Sequence, residues 1–327
     1  MWDITFTCFC PLYPLIAEHG WFLHYKDKTP AVFPFWGGMA SYLDFTHPEA
    51  FDFWTACVKE KLADQGYTAI WNDNNEYDVW DKDVYAHGFG QEIPARMIRP
   101  LFPLLMSRAS RQAIDDPEPF MVSRSAPAGI QRLATTWTGD NLTDFRDLRF
   151  NHYQAMTMAL SGFAYFGQDI GGFAGPKPSE ELFMRWLQYG VFTPRFVLHS
   201  WKPGEPSTMP WLYPELMTEV RSIFALRERL IPYLKSSMDN CVLTGDPLIK
   251  PVFLFDPEYD EEADWFFLGD KILACPVYDE GADTVKVLLP RNKDGWKLRG
   301  EGDPLPGGST VSVQCTIRDL PVWFEKM

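Results

Sequence analysis

The strongest constraint in this chain is an alternation. Short apolar runs, each stopping at a polar or charged residue, are separated by stretches with helical spacing. Residues 46–66 read as a helix, with Thr46 as N-cap, Pro48 in the first turn and Glu49 completing a capping box. Phe51, Trp54, Val58 and Leu62 share one face, and Gly66 ends the helix. The run Tyr67–Trp71 follows and stops at an acidic cluster, Asp73 through Asp83. The same grammar recurs in the runs 119–123, 133–137, 163–166 and 195–199, with helices over 144–160, 179–190 and 214–237. Alternating strands and helices mean parallel βα units. Polar residues at every strand's carboxyl end are the layout of a (β/α) barrel, whose chemistry lies on that face. The rival, an open doubly wound sheet, carries a glycine-rich phosphate loop; Gly37-Gly38 and Gly171-Gly172 lack its spacing.

After about residue 240 the pattern changes to short strands at 252–255, 265–268, 272–275, 285–289 and 311–313, separated by Asp-, Gly- and Pro-rich turns. That is an all-β, sandwich-like module. The expected organisation is α/β: a partial (β/α)8 TIM barrel over 1–238, then a C-terminal β-sandwich domain over 239–327. The opening run Ile4–Cys10 is expected to be a single strand.

Charge narrows the partners. The 30 basic and 44 acidic residues leave a net charge of −14, so no basic surface is available for nucleic acid or for an anionic membrane. No run is long enough to be a spanning helix. Met1-Trp2-Asp3 offers no positive leader, and the six cysteines form no C-x-x-C pair. They read as mostly reduced and buried, and the expected location is cytoplasmic. No metal and no cofactor is expected.

Aromatic residues make up 16% of the chain, and such rings pack both cores and the C–H faces of sugars. Asp73 and Asp140 each follow a short apolar run with a Trp close by, Trp71 and Trp137. Two carboxyls across an aromatic-lined cleft are what glycosidic cleavage needs, one attacking the anomeric carbon and the other protonating the leaving oxygen. Spacing alone leaves plainer readings open. An Asp at a strand end also serves as a turn former or helix cap, Arg124 as a counter-ion of Asp73, His199 as an ordinary strand-end histidine, and Trp36 as core. A calcium loop over Asp73–Asp83 lacks the EF-hand's mid-loop glycine and spacing.

Trp71-Asn72-Asp73-Asn74-Asn75-Glu76 resembles the nucleophile motif of glycoside hydrolase family 31. Further segments match in order: Trp36-Gly37-Gly38, Asp44-Phe45-Thr46, Ser123-Arg124-Ser125, Trp137-Thr138-Gly139-Asp140-Asn141, Gly167–Phe173 and Pro194–Trp201. The resemblance implies that Asp73 is the nucleophile and Asp140 the acid/base of a retaining α-glycosidase. It implies that Arg124, Asp169 and His199 bind sugar hydroxyls and that Trp36, Trp71, Trp137 and Phe173 form the aromatic wall. The implied reaction is hydrolysis of terminal α-glucosidic bonds of oligosaccharides by double displacement, with glucose favoured over xylose or sulfoquinovose. The alternatives are a catalytically impaired carbohydrate-binding fragment and an α-glucosyl transferase. Asn74 replaces a Met common in the family. The family's N-terminal β-sandwich and first barrel strands have no counterpart here, so the chain reads as an N-terminally truncated fragment with five or six of eight barrel strands.

Overall fold

The computed structural model describes residues 2–3, 5–259 and 264–327. The chain divides into two compact units, Met1–Thr136 and Trp137–Met327.

In the first unit, Trp2–Asp3, Ala69–Asp73 and Phe120–Ser123 form a parallel sheet in that order. An isolated parallel bridge from Val122 to Thr135 extends it. Each later strand is preceded by a helix, Pro48–Lys61 before Ala69–Asp73 and Leu101–Gln112 before Phe120–Ser123. The two helices pack on each other through Trp54, fully buried, whose Nε1 donates to Ser110 Oγ at 2.9 Å. Truncating a buried Trp of this kind costs about 3–5 kcal/mol. Two small antiparallel sheets complete the unit: Thr5–Thr7, Gly38–Tyr42 and Phe33–Phe35, and His24–Tyr25, Val84–Ala86 and Ile93–Pro94.

In the second unit, Gly167–Asp169 pairs in parallel with Arg195–Val197. The helices are Phe145–Leu160, Glu180–Gly190 and Met217–Thr244. The first two open on side-chain caps, Asp144 accepting from Asp147 N and Ser179 from Leu182 N. A five-stranded antiparallel sheet follows, ordered Ile249–Pro251, Phe266–Leu268, Ile272–Ala274, Trp323–Lys326, Trp296–Leu298, with a separate two-stranded antiparallel sheet of Thr284–Leu288 and Thr310–Gln314. Phe267, Leu273, Trp296, Phe324, Val287 and Val313 form its core. The chain thus carries the strands of a partial barrel followed by an all-β region.

Several local expectations are corrected. The opening run is not one strand. Trp2–Asp3 lies parallel beside Ala69–Asp73, whereas Thr5–Thr7 turns away to pair antiparallel with Gly38–Tyr42; Ile4 lies outside the described residues. Thr46 is not the N-cap. The helix starts from His47, because the Thr46 hydroxyl donates to Asp44 Oδ1 at 2.6 Å and accepts from Gly88 N at 2.8 Å. The expected strand 133–137 shrinks to the bridge at Thr135, and 163–166 gives way to Gly167–Asp169. Gly167 lets that pair form: a Cβ there would lie 2.2 Å from Arg195 O. Val252–Leu254 is a 3-10 turn after the true strand Ile249–Pro251, and the last helix runs on to Thr244, where Gly245 at φ +80° stops it. Of the six cysteines only Cys275 and Cys315 are buried, and Cys8 is exposed.

Candidate active site

Side chains alternate across a strand, so Ala69–Asp73 sends Ile70 and Asn72 to one face and Trp71 and Asp73 to the other. Asn72 is fixed to the helix Leu101–Gln112: its Nδ2 donates to Ser107 Oγ at 3.3 Å, and Ser110 Oγ donates to its Oδ1 at 3.0 Å. That orientation puts Asp73, 6% exposed, on the face away from the helix. Arg124, one residue past Phe120–Ser123, brings Nη1 to 3.0 Å from Asp73 Oδ1. Its Nε donates to Glu76 Oε1 at 2.5 Å, and its Nη2 to Glu76 Oε2 at 3.1 Å and to Asn74 Oδ1. Asn74 sits at φ +50°, a conformation Asn tolerates, and its N–H donates to Asp73 Oδ1 at 2.9 Å. Asn75 is buried and ties the turn to the next strand, with Nδ2 on Ser123 Oγ at 2.9 Å and Oδ1 accepting from Ser125 N at 2.8 Å. Asn74 and Arg124 thus contact the Asp73 carboxylate directly, while Asn72, Asn75 and Glu76 fix the strand, the turn and the guanidinium around it. Arg124 is a counter-ion shared by two carboxylates, Asp73 and Glu76.

In the second unit, Asp169 is fully buried, and Arg195 Nη1 lies 3.6 Å from its Oδ1. Burial pulls the Arg195 guanidinium below its usual value, and Asp169 pulls it back up. The guanidinium also stands 5.7 Å from the Trp137 ring, and Trp137 is 3% exposed. The His199 and Phe173 rings are 5.3 Å apart. Burial first, then Arg195, lowers the His199 imidazole, while Asp140 raises it. Asp140 itself is exposed. The Thr138 N–H meets Gly167 O at 3.0 Å, and Gly139 at φ +82° turns the chain. The stretch is held from the other side: Phe173 N and Ala174 N both bond Asn141 O, at 2.9 and 3.0 Å. Gly172 permits this contact, since a Cβ would lie 2.7 Å from Thr143 Cα.

A model of the glycosyl hydrolases family 31 TIM-barrel domain matches residues 7–237, and one of the family's C-terminal domain matches 245–326. The chain belongs to glycosyl hydrolase family 31. Among curated relatives, neutral alpha-glucosidase C of Mus musculus is 29% identical over 95% of this chain and 36% of its own length. Alpha-glucosidase 2 of Bacillus thermoamyloliquefaciens is 28% identical over 97% of this chain and 42% of its own length. A solved family 31 alpha-xylosidase from a soil metagenome, complexed with xylose, superposes with a TM-score of 0.88 at 27% identity, covering 99% of this chain and 52% of that one. The chain thus spans well under half the length of these curated relatives.

Within this family 31 chain, the structure brings Trp71, Asp73 and Arg124 together in the first unit, and Trp137, Asp169, His199 and Phe173 in the second. Trp36 is 77% exposed at the tip of the hairpin Phe33–Tyr42, its ring 5.6 Å from Phe35; it is a surface aromatic, not core. Sequence reasoning missed Glu76, Asn75 and Arg195 as supporting residues. The signal available was charge: a basic residue in a buried barrel strand needs an acid at the neighbouring strand end. It also missed Lys202, 4% exposed, whose Nζ donates to Thr143 Oγ1 at 2.6 Å and Pro176 O at 3.0 Å, and which burial lowers. Among the described residues, no group of three or more His, Cys, Asp or Glu is placed to hold a metal.

Proposed function

We propose that the chain carries the catalytic residues of a retaining α-glucosidase. Asp73 attacks the anomeric carbon as Asp140 protonates the leaving oxygen and the glycosidic bond breaks. The β-glucosyl ester on Asp73 is then opened by a water that Asp140 deprotonates, returning an α-sugar. By the family resemblance Arg124, His199 and Asp169 serve the ring hydroxyls, the fully buried Asp169 through Arg195 beside it, and Trp71, Trp137 and Phe173 serve as the aromatic wall. The observation that carries the reading is the Asp73–Arg124 pair at 3.0 Å on a parallel strand's carboxyl end, with Asn74 N–H on the same oxygen. That arrangement keeps a nearly buried carboxylate charged and aimed, as a nucleophile requires. Glucose is preferred to xylose because the curated relatives are named as α-glucosidases.

The test is a chromogenic α-glucoside with the wild type and Asp73→Ala, combined with proton NMR of the first product. Turnover lost in the variant and α-anomer appearing first support the reading. Equal rates, or β-anomer appearing first, end it.

A further inference from the structure

The loop after Arg195–Val197 is pinned along its length. Trp201 N–H bonds Phe173 O at 3.0 Å, so its backbone sits directly against the Phe173–His199 wall. Lys202 is drawn inward to Thr143 Oγ1 and Pro176 O, and Thr143 lies three positions after Asp140. Thr208 N closes the loop on Ser200 Oγ at 2.8 Å. Between two such anchors the Trp201 side chain is left 64% exposed. A large aromatic on an anchored backbone, set in water beside a ring wall, can stack on an apolar face at low conformational-entropy cost because it has only two side-chain torsions.

We propose that Trp201 is the platform for the sugar on the leaving-group side of the scissile bond, a specificity-determining position for linked glucosides. This rests on the glucosidase reading, which assigns Asp140 to the leaving oxygen. The ligand is a pyranose ring presenting its C–H face to the indole. The neighbouring lysine agrees: Lys202 is buried and committed to Thr143 and Pro176, so it does not compete with the indole for a neutral ring.

The experiment compares a linked diglucoside with α-glucosyl fluoride, whose leaving group fills no sugar subsite, in the whole protein. Trp201→Ala is expected to lower kcat/KM on the diglucoside about tenfold, mainly through KM, with the fluoride unchanged and Trp201→Phe recovering most of the loss. A parallel fall on both substrates, or no change on either, overturns the proposal. If the wild type turns over neither substrate, the glucosidase reading fails. The platform is then decided by tryptophan fluorescence titration with the diglucoside. A quench that Trp201→Ala abolishes supports the platform; a quench unchanged in the variant, or none in the wild type, overturns it.

Discussion

The surroundings of Asp73 and of Asp140 differ in nearly every respect. Asp73 is almost buried and held by side chains: Arg124 at 3.0 Å, Glu76 behind it, and Asn75 fixing the turn. Asp140 is exposed, and backbone fixes the stretch around it: Gly139 turns the chain, and Phe173 and Ala174 N–H groups grip Asn141 O. The contrast follows from what each carboxyl is proposed to do. A nucleophile works ionised and aimed, and a buried carboxylate stays ionised only beside a counter-charge. A residue that gives a proton to one oxygen and then takes one from water needs both access to solvent and fixed placement. Aromatic neighbours alone do not decide burial, since each Asp has a nearby Trp and only one is covered.

The largest expected effect tests the first half of this contrast. Asp73→Asn replaces the attacking carboxylate with a neutral, poorly nucleophilic amide and should cut kcat on an α-glucoside on the order of 10⁴-fold or more. Residual activity within tenfold of wild type would end the nucleophile assignment. Asp140→Ala should cost about 10²–10⁴-fold on a substrate with a basic leaving group, but far less on α-glucosyl fluoride, where little protonation is needed. The same loss on both substrates would mean that the exposed carboxyl does something other than proton transfer.

Stability separates the two sites next. Arg124→Met strands the Asp73 charge in a nearly closed setting and should lower the free energy of unfolding by about 3 kcal/mol, recovered in the Arg124→Met, Asp73→Asn double variant. Asp140→Asn, at an exposed position, should change it by less than about 0.5 kcal/mol. Denaturant titration reads both. Equal costs at the two sites would contradict the distinction between side-chain and backbone support.

Legibility in the sequence follows the same division. The βα alternation and the helices 145–160 and 180–190 were readable because caps and apolar spacing are local. The motif residues were readable by likeness, so Asp73 and Asp140 could be named. What was hidden was non-local. Nothing within 44–47 says that Asp44 takes the Thr46 hydroxyl and that Gly88 uses it too, which defeats the capping box. The register that sets Gly167 opposite Arg195 is a property of two strands, so an apolar run at 163–166 looked like the strand itself. The strands Trp296–Leu298 and Trp323–Lys326 went unseen because each is a short stretch of mixed polarity whose partner lies elsewhere in the sheet.

Acid separates the two units as well. In the first unit, burial pushes the Asp44 carboxyl above its usual value, while hydrogen bonds from Thr46 and His87 pull it back. Its folded value exceeds the unfolded one, so its contribution is present below about pH 4 and is lost as pH rises through the raised value. In the second unit the sign reverses. His152 lies on the helix Phe145–Leu160, with its ring 5.6 Å from Tyr278, 5.8 Å from Phe266 and 6.3 Å from Tyr189. Burial and then the Arg149 charge lower it to about 4. The unfolded chain therefore takes up a proton near pH 6.5 that the folded chain refuses, and stability is lost as pH falls from there toward 4. At pH 5 the loss should be about 2 kcal/mol relative to pH 7.5, and His152→Phe should remove most of that slope. Unfolding free energies of the two proteins at both pH values decide it. Parallel losses would show that the imidazole contributes nothing to the acid sensitivity of the Asp140 half.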